Sequence, residues 1–104
     1  MTDKDLNARI GEAWNAHYTG QDEAAVQQFT EILNTEPENI DANWGLGLAY
    51  RGLNQHEQAR DIFSKVKTLI QDEIARENST SPGRFVMLNR MVEQQLKHLE
   101  EFLT

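Results

Sequence analysis

The sequence predicts an all-α fold of about five helices, built as antiparallel helix-turn-helix units in one domain. Three observations carry this. Apolar residues recur at steps of three and four, and no segment alternates as a strand does. The only two prolines, Pro37 and Pro82, fall between the periodic stretches rather than inside them. The chain also matches itself when slid by 34 residues. Its 104 residues suit one domain, and 38% apolar with 26% charged residues is a globular composition.

The helices are expected near 4–19, 22–34, 40–52, 55–77 and 83–103. The first ends where Gly20 can take the left-handed conformation of a turn. Ala25, Phe29 and Ile32 give the second its apolar positions. Asn39 can cap a third helix beginning at Ile40, and Asn54 stands where the following turn needs a left-handed residue. In the fourth, Ala59, Ile62, Phe63, Val66, Leu69, Ile70 and Ile74 form one stripe. Ser81 can cap the last helix with Pro82 as its first residue. There Phe85, Leu88, Met91, Val92, Leu96, Leu99, Phe102 and Leu103 share a broad face fit to pack on a core.

Residues 44 to 50 read WGLGLAY, with two glycines that each cost a helix interior about 1 kcal/mol relative to alanine. A phosphate-binding turn would need free N–H groups between strand and helix, and nothing from Ala42 to Tyr50 supplies such a turn. Close helix approach is the better reason. Gly47 then meets its partner helix, with Ala59 as the reciprocal small residue. Gly45 reads as a tolerated small residue, with a ligand contact as the alternative.

The shift by 34 aligns Gln21 with Gln55, Glu23 with Glu57, Ala25 with Ala59 and Phe29 with Phe63. Leu6 and Ile40, Ala13 and Gly47, Gly20 and Asn54, and Ile32 and Val66 are similar pairs in the same register. This period, with Leu46-Gly47, Tyr50, Ala59 and Phe63 at their offsets and Pro37 closing the unit before, resembles the tetratricopeptide repeat family. The resemblance spans residues 6 to 70. The first unit departs from the pattern at Arg9, Glu12 and Ala16, as suits a terminal repeat with a polar outer side. A third unit would need an alanine and an aromatic where Glu93 and Lys97 stand. The resemblance therefore implies a short right-handed α-solenoid, with repeat one at 4–37 and repeat two at 38–71. The second helix of repeat two continues to about 77, because Gln71 stands where a closing proline would fall, and 83–103 forms a capping helix antiparallel to it.

The same resemblance implies a function. First helices of such repeats line a concave groove that receives a peptide or helix of a partner protein. Carried over position by position, the groove comprises Asn7, Ile10, Trp14, His17 and Tyr18 from repeat one. Repeat two adds Asp41, Trp44, Leu48 and Arg51. Both tryptophans belong to this set and are expected to be partly accessible in the free protein. Ile10, Trp14, Trp44 and Leu48 replace the lysines and asparagines with which one subset of the family grips a terminal carboxylate, so that clamp is not expected. A homodimer through the C-terminal helix is the alternative.

Charge and motif content exclude other classes. Residues 1 to 50 hold nine acidic against two basic residues, and residues 51 to 104 hold eight of each, which is opposite to the basic patch of a nucleic-acid binder. No apolar run is long enough for a membrane span, and the N-terminal stretch lacks the pattern of a secretion signal. The expected setting is therefore the cytoplasm, with which the absence of cysteine is compatible. No catalytic constellation stands out, and no cofactor or metal is expected. His17, His56 and His98 are far apart in sequence and read as single surface histidines. The pairs Glu57 with Asp61 and Glu73 with Glu77 read as solvated faces, and Asn78-Ser79-Thr80 as a polar turn.

Overall fold

A computed structural model describes residues 3–77 and 83–103 as five helices: α1 (Asp3–Tyr18), α2 (Asp22–Thr35), α3 (Ile40–Gly52), α4 (His56–Glu77) and α5 (Gly83–Leu103). Among the described residues there is no strand. Every helix starts and stops within one residue of its expected position, because local chemistry sets the ends. Gly20 and Asn54 have φ of +81° and +61°. In the two turns the N–H of Gln21 donates to Ala16 O at 2.8 Å and that of Gln55 to Tyr50 O at 2.9 Å, closing both helices with the same motif one repeat apart. Asn39 Oδ1 accepts from the Ala42 N–H at 2.9 Å and caps α3. The expected Ser81–Pro82 cap and the 78–80 turn lie outside the described residues.

Consecutive helices pack on one another, α1 also lies against α3, and the assembly measures 41 × 37 × 20 Å. Two apolar cores result. One gathers Ala13 and Ala16 of α1, Ala25, Phe29 and Ile32 of α2, and Ala42, Leu46 and Ala49 of α3. The other gathers Trp44 of α3, Ala59, Phe63, Val66 and Ile70 of α4, and Val92 and Leu99 of α5. Helix α3 serves both, and residues 42–47 are buried without a break. Burial on every side of this stretch is what a central position produces. No described helix is long and apolar enough to cross a membrane.

The two glycines of α3 explain how it fits between its neighbours. A Cβ on Gly47 would come within 2.7 Å of Phe63 Cδ1, and one on Gly45 within 2.7 Å of Phe29 Cε1 and Cε2. Two residues along a helix are about 200° apart, so each glycine opens one side of α3 to a phenylalanine ring. Close approach at Gly47 is as expected, although its neighbour is the Phe63 ring rather than Ala59. The reading of Gly45 as merely tolerated is corrected: it holds the same place toward Phe29 that Gly47 holds toward Phe63.

One buried polar side chain ties the α2–α3 turn. Asn43 is fully buried, and its Nδ2 donates to the carbonyls of Asn39 at 2.8 Å and Pro37 at 3.2 Å. Replacing Asn43 by alanine removes, from a fully buried position, the donor that ties the Pro37 and Asn39 carbonyls together. The expected cost is about 1–3 kcal/mol, read as a lowered denaturant midpoint at unchanged slope. An unmoved midpoint would show that Asn43 does not secure the turn.

Helix α5 lies antiparallel on α4. Glu93 reaches Lys67 at 3.7 Å, and Phe102 stacks on His56 at a centroid distance of 4.2 Å. Val92 and Leu99 are fully buried, with Phe85, Leu88, Leu96 and Leu103 partly covered. The packing face is narrower than the sequence suggests. Met91 and Phe102, expected within it, are 42% and 53% exposed, because α4 offers only one helix surface to pack against.

Candidate functional site

The nine expected groove residues do not share one environment. Asn7, Tyr18 and Asp41 are exposed, while Ile10, Trp14, His17, Leu48 and Arg51 are half-buried. Trp44 is buried at 8% exposure, tilted against Phe63 at 5.3 Å between ring centroids. The expectation of two accessible tryptophans is therefore corrected for Trp44. The Gly47 gap lets Phe63 close onto α3, and the Trp44 indole fills the second core beside it.

Trp14 bridges interior and surface. Its ring meets Phe29 edge-on at 5.4 Å and stacks on Tyr18 at 5.6 Å with 23° between planes. Tyr18 is 75% exposed. Phe29 is itself fixed between Trp14 and Gly45, so the missing side chain of Gly45 helps set where the Trp14 indole sits. The result is an aromatic platform on α1, rigid underneath and open on top.

Beside this platform the ends of four helices border an open cleft of about 410 Å³. Helix α1 contributes His17; α3 contributes Leu48, Arg51 and Gly52; the turn to α4 contributes Asn54; α4 contributes His56; and α5 contributes His98 and Phe102. All three histidines of the chain thus line one cleft, which corrects their reading as separate surface residues. The antiparallel hairpin of α4 and α5 causes this by bringing the start of one helix to the end of the other. His98 meets the Phe102 ring edge-on at 5.5 Å, and Phe102 lies flat on His56.

The polar groups are held individually. Arg51 Nη1 donates to Gln95 Oε1 at 2.8 Å, joining α3 to α5. His17 Nδ1 lies 2.6 Å from Asp22 Oδ1. A carboxylate oxygen can only accept, so Nδ1 is the donor in this contact. His56 Nδ1 is buried with no protein partner. Among the described residues no group of three or more His, Asp or Glu side chains is arranged to hold a metal ion, these histidines included.

Sequence reasoning found His17, Leu48 and Arg51 and missed Gly52, Asn54, His56, His98 and Phe102 as cleft residues. Pairing α4 and α5 as a hairpin would have brought His56 toward Phe102, but nothing local fixes that register. Comparison with protein-family models, curated proteins and solved structures returned no match.

Proposed function

We propose that the chain is a protein–protein interaction module, a tetratricopeptide-like adaptor that binds a peptide or helix of a partner protein across the surface of α1 and α3. The observation that carries this is the stacked Trp14–Tyr18 pair, with Tyr18 left 75% exposed on a supported ring. Aromatic and arginine side chains supply most binding hot spots. An aromatic that is already ordered loses little entropy on contact. The 34-residue period and the equal burial of Ala25 with Ala59 and of Phe29 with Phe63 support the repeat reading. The proposed setting is the cytoplasm, with which the lack of cysteine is compatible.

The two tryptophans separate binding from folding. Acrylamide is expected to quench Trp14 and spare Trp44, and a partner captured from the source cell to protect Trp14. Tyr18→Ala should weaken that partner by about 2 kcal/mol with little loss of stability, since the ring is mostly in solvent. Trp44→Ala should instead cost about 3–5 kcal/mol of stability. Unchanged partner affinity in Tyr18→Ala, with Trp14 still quenched in the complex, would rule out this surface.

A second reading has its own observation. Val86, Met87 and Met91 on α5 are 40%, 65% and 42% exposed, which suits a helix that pairs with a second copy of the chain. Light scattering decides it: a monomer at micromolar concentration removes this reading, and a dimer stable to dilution favours it.

A further inference from the structure

We propose that Asp22 is the positioning residue of the aromatic platform, holding His17 against Trp14 and Tyr18 from a seat that Gly52 leaves open. The inference rests on the partner-binding reading above and names what orders that surface before a partner arrives. Asp22 is the first residue of α2, yet its carboxylate turns back to α1. His17 Nδ1 donates to Asp22 Oδ1 at 2.6 Å, and the two side chains are only 21% and 15% exposed. A carboxylate so far removed from water needs such a donor. Its other oxygen lies over the end of α3, where a Cβ on Gly52 would collide with Oδ2 and come within 2.8 Å of Cγ. His17 in turn meets the Trp14 ring edge-on at 6.0 Å and the Tyr18 ring at 5.4 Å between centroids. The bond to Asp22 therefore fixes the imidazole that braces both members of the platform.

The second repeat shows that the turn itself does not need this pair. Moved on by 34 residues, His17 and Asp22 become Arg51 and His56, and Trp14 and Tyr18 become Leu48 and Gly52. The α3–α4 turn still closes with the same backbone bonds, while Arg51 goes to Gln95 of α5. Pair and platform thus occur together in repeat one and are both missing from repeat two. An aromatic held in place beforehand loses little freedom on contact, so the brace favours capture of a partner segment by Tyr18.

Two measurements on the free protein test this. The stacked Trp14 indole shifts the NMR signals of the Tyr18 ring protons, and acrylamide quenching reports how open Trp14 is. In Asp22→Ala the Tyr18 signals are expected to move toward those of free tyrosine and Trp14 quenching to rise, at a temperature where circular dichroism shows the fold intact. Asp22→Asn keeps an oxygen that accepts from His17 and should retain the native signals, although it too loses the charge that favours the start of α2. Gly52→Ala should move Tyr18 in the same direction as Asp22→Ala, because the added methyl displaces the carboxylate. The double variant should then add nothing to Asp22→Ala alone. Native Tyr18 signals in Asp22→Ala, equal changes in Asp22→Asn and Asp22→Ala, or additive effects of Asp22→Ala and Gly52→Ala would each overturn the proposal. Gly52 is exposed, so Gly52→Ala retains the fold and decides the matter if Asp22→Ala does not. None of these measurements needs a partner, so their failure leaves the binding surface standing, whereas unchanged partner affinity in Tyr18→Ala would remove that surface and leave the brace.

Discussion

Gly45→Leu is expected to abolish cooperative folding, and Gly45→Ala to lower stability, even though alanine is the better helix former. Two effects oppose each other in the alanine variant. Helix propensity favours it by about 1 kcal/mol, whereas its Cβ would overlap the fully buried Phe29 ring, and overpacking costs about 1–3 kcal/mol or more. The ring cannot yield easily, because Trp14 stands against it. Leucine adds three more carbons to the same overlap and pushes α3 off α2. Gly47 facing Phe63 should behave alike. Gly11 is the control: nothing lies within 4 Å of a Cβ placed there, so Gly11→Ala should gain up to about 1 kcal/mol. Thermal melts of the three alanine variants check the order. If all three rise together, the helices do not need these gaps.

Removing residues 84 to 104 should be as severe. Val66 and Ile70 of α4 pack with Val92 and Leu99 of α5, and all four are fully buried. Each such side chain contributes about 1.5–3 kcal/mol when buried, and together they rival the about 5–15 kcal/mol that holds an ordinary domain. The truncated chain should aggregate or melt without a sharp transition, as uncapped helical arrays do. A soluble truncated monomer that melts as sharply as the full chain would make α5 an appendage.

Much of this architecture was legible in the sequence because it is encoded locally. Gly20 and Asn54 take left-handed φ, the Asn39 side chain caps α3, and three- and four-residue spacing marks the helices between them. The equal fates of Phe29 and Phe63 follow from the 34-residue shift. Relations between elements that no period links were not legible. Gly45 gains its meaning only from Phe29 across the α2–α3 contact, and Trp44 is buried because Phe63 closes over α3. The cleft was hidden for the same reason. His56 and His98 are 42 residues apart, and only the packing of α5 along α4 puts them on common walls.

Because α3 belongs to both cores, the molecule assembles by zipping between neighbours. Apart from the contact of α1 with α3, each helix packs on the one before or after it, so few contacts require closing a long loop. Chains with such short-range contacts fold on the microsecond to millisecond scale, faster than sheet proteins of equal stability. The same arrangement orders the reverse process. Helix α5 is secured by α4, apart from the Arg51–Gln95 bond, and α1 by α2 with part of α3, so each can open from its own end, whereas releasing α3 disrupts both halves at once. Amide protons along residues 42–47 should therefore exchange last, at a rate set by global unfolding.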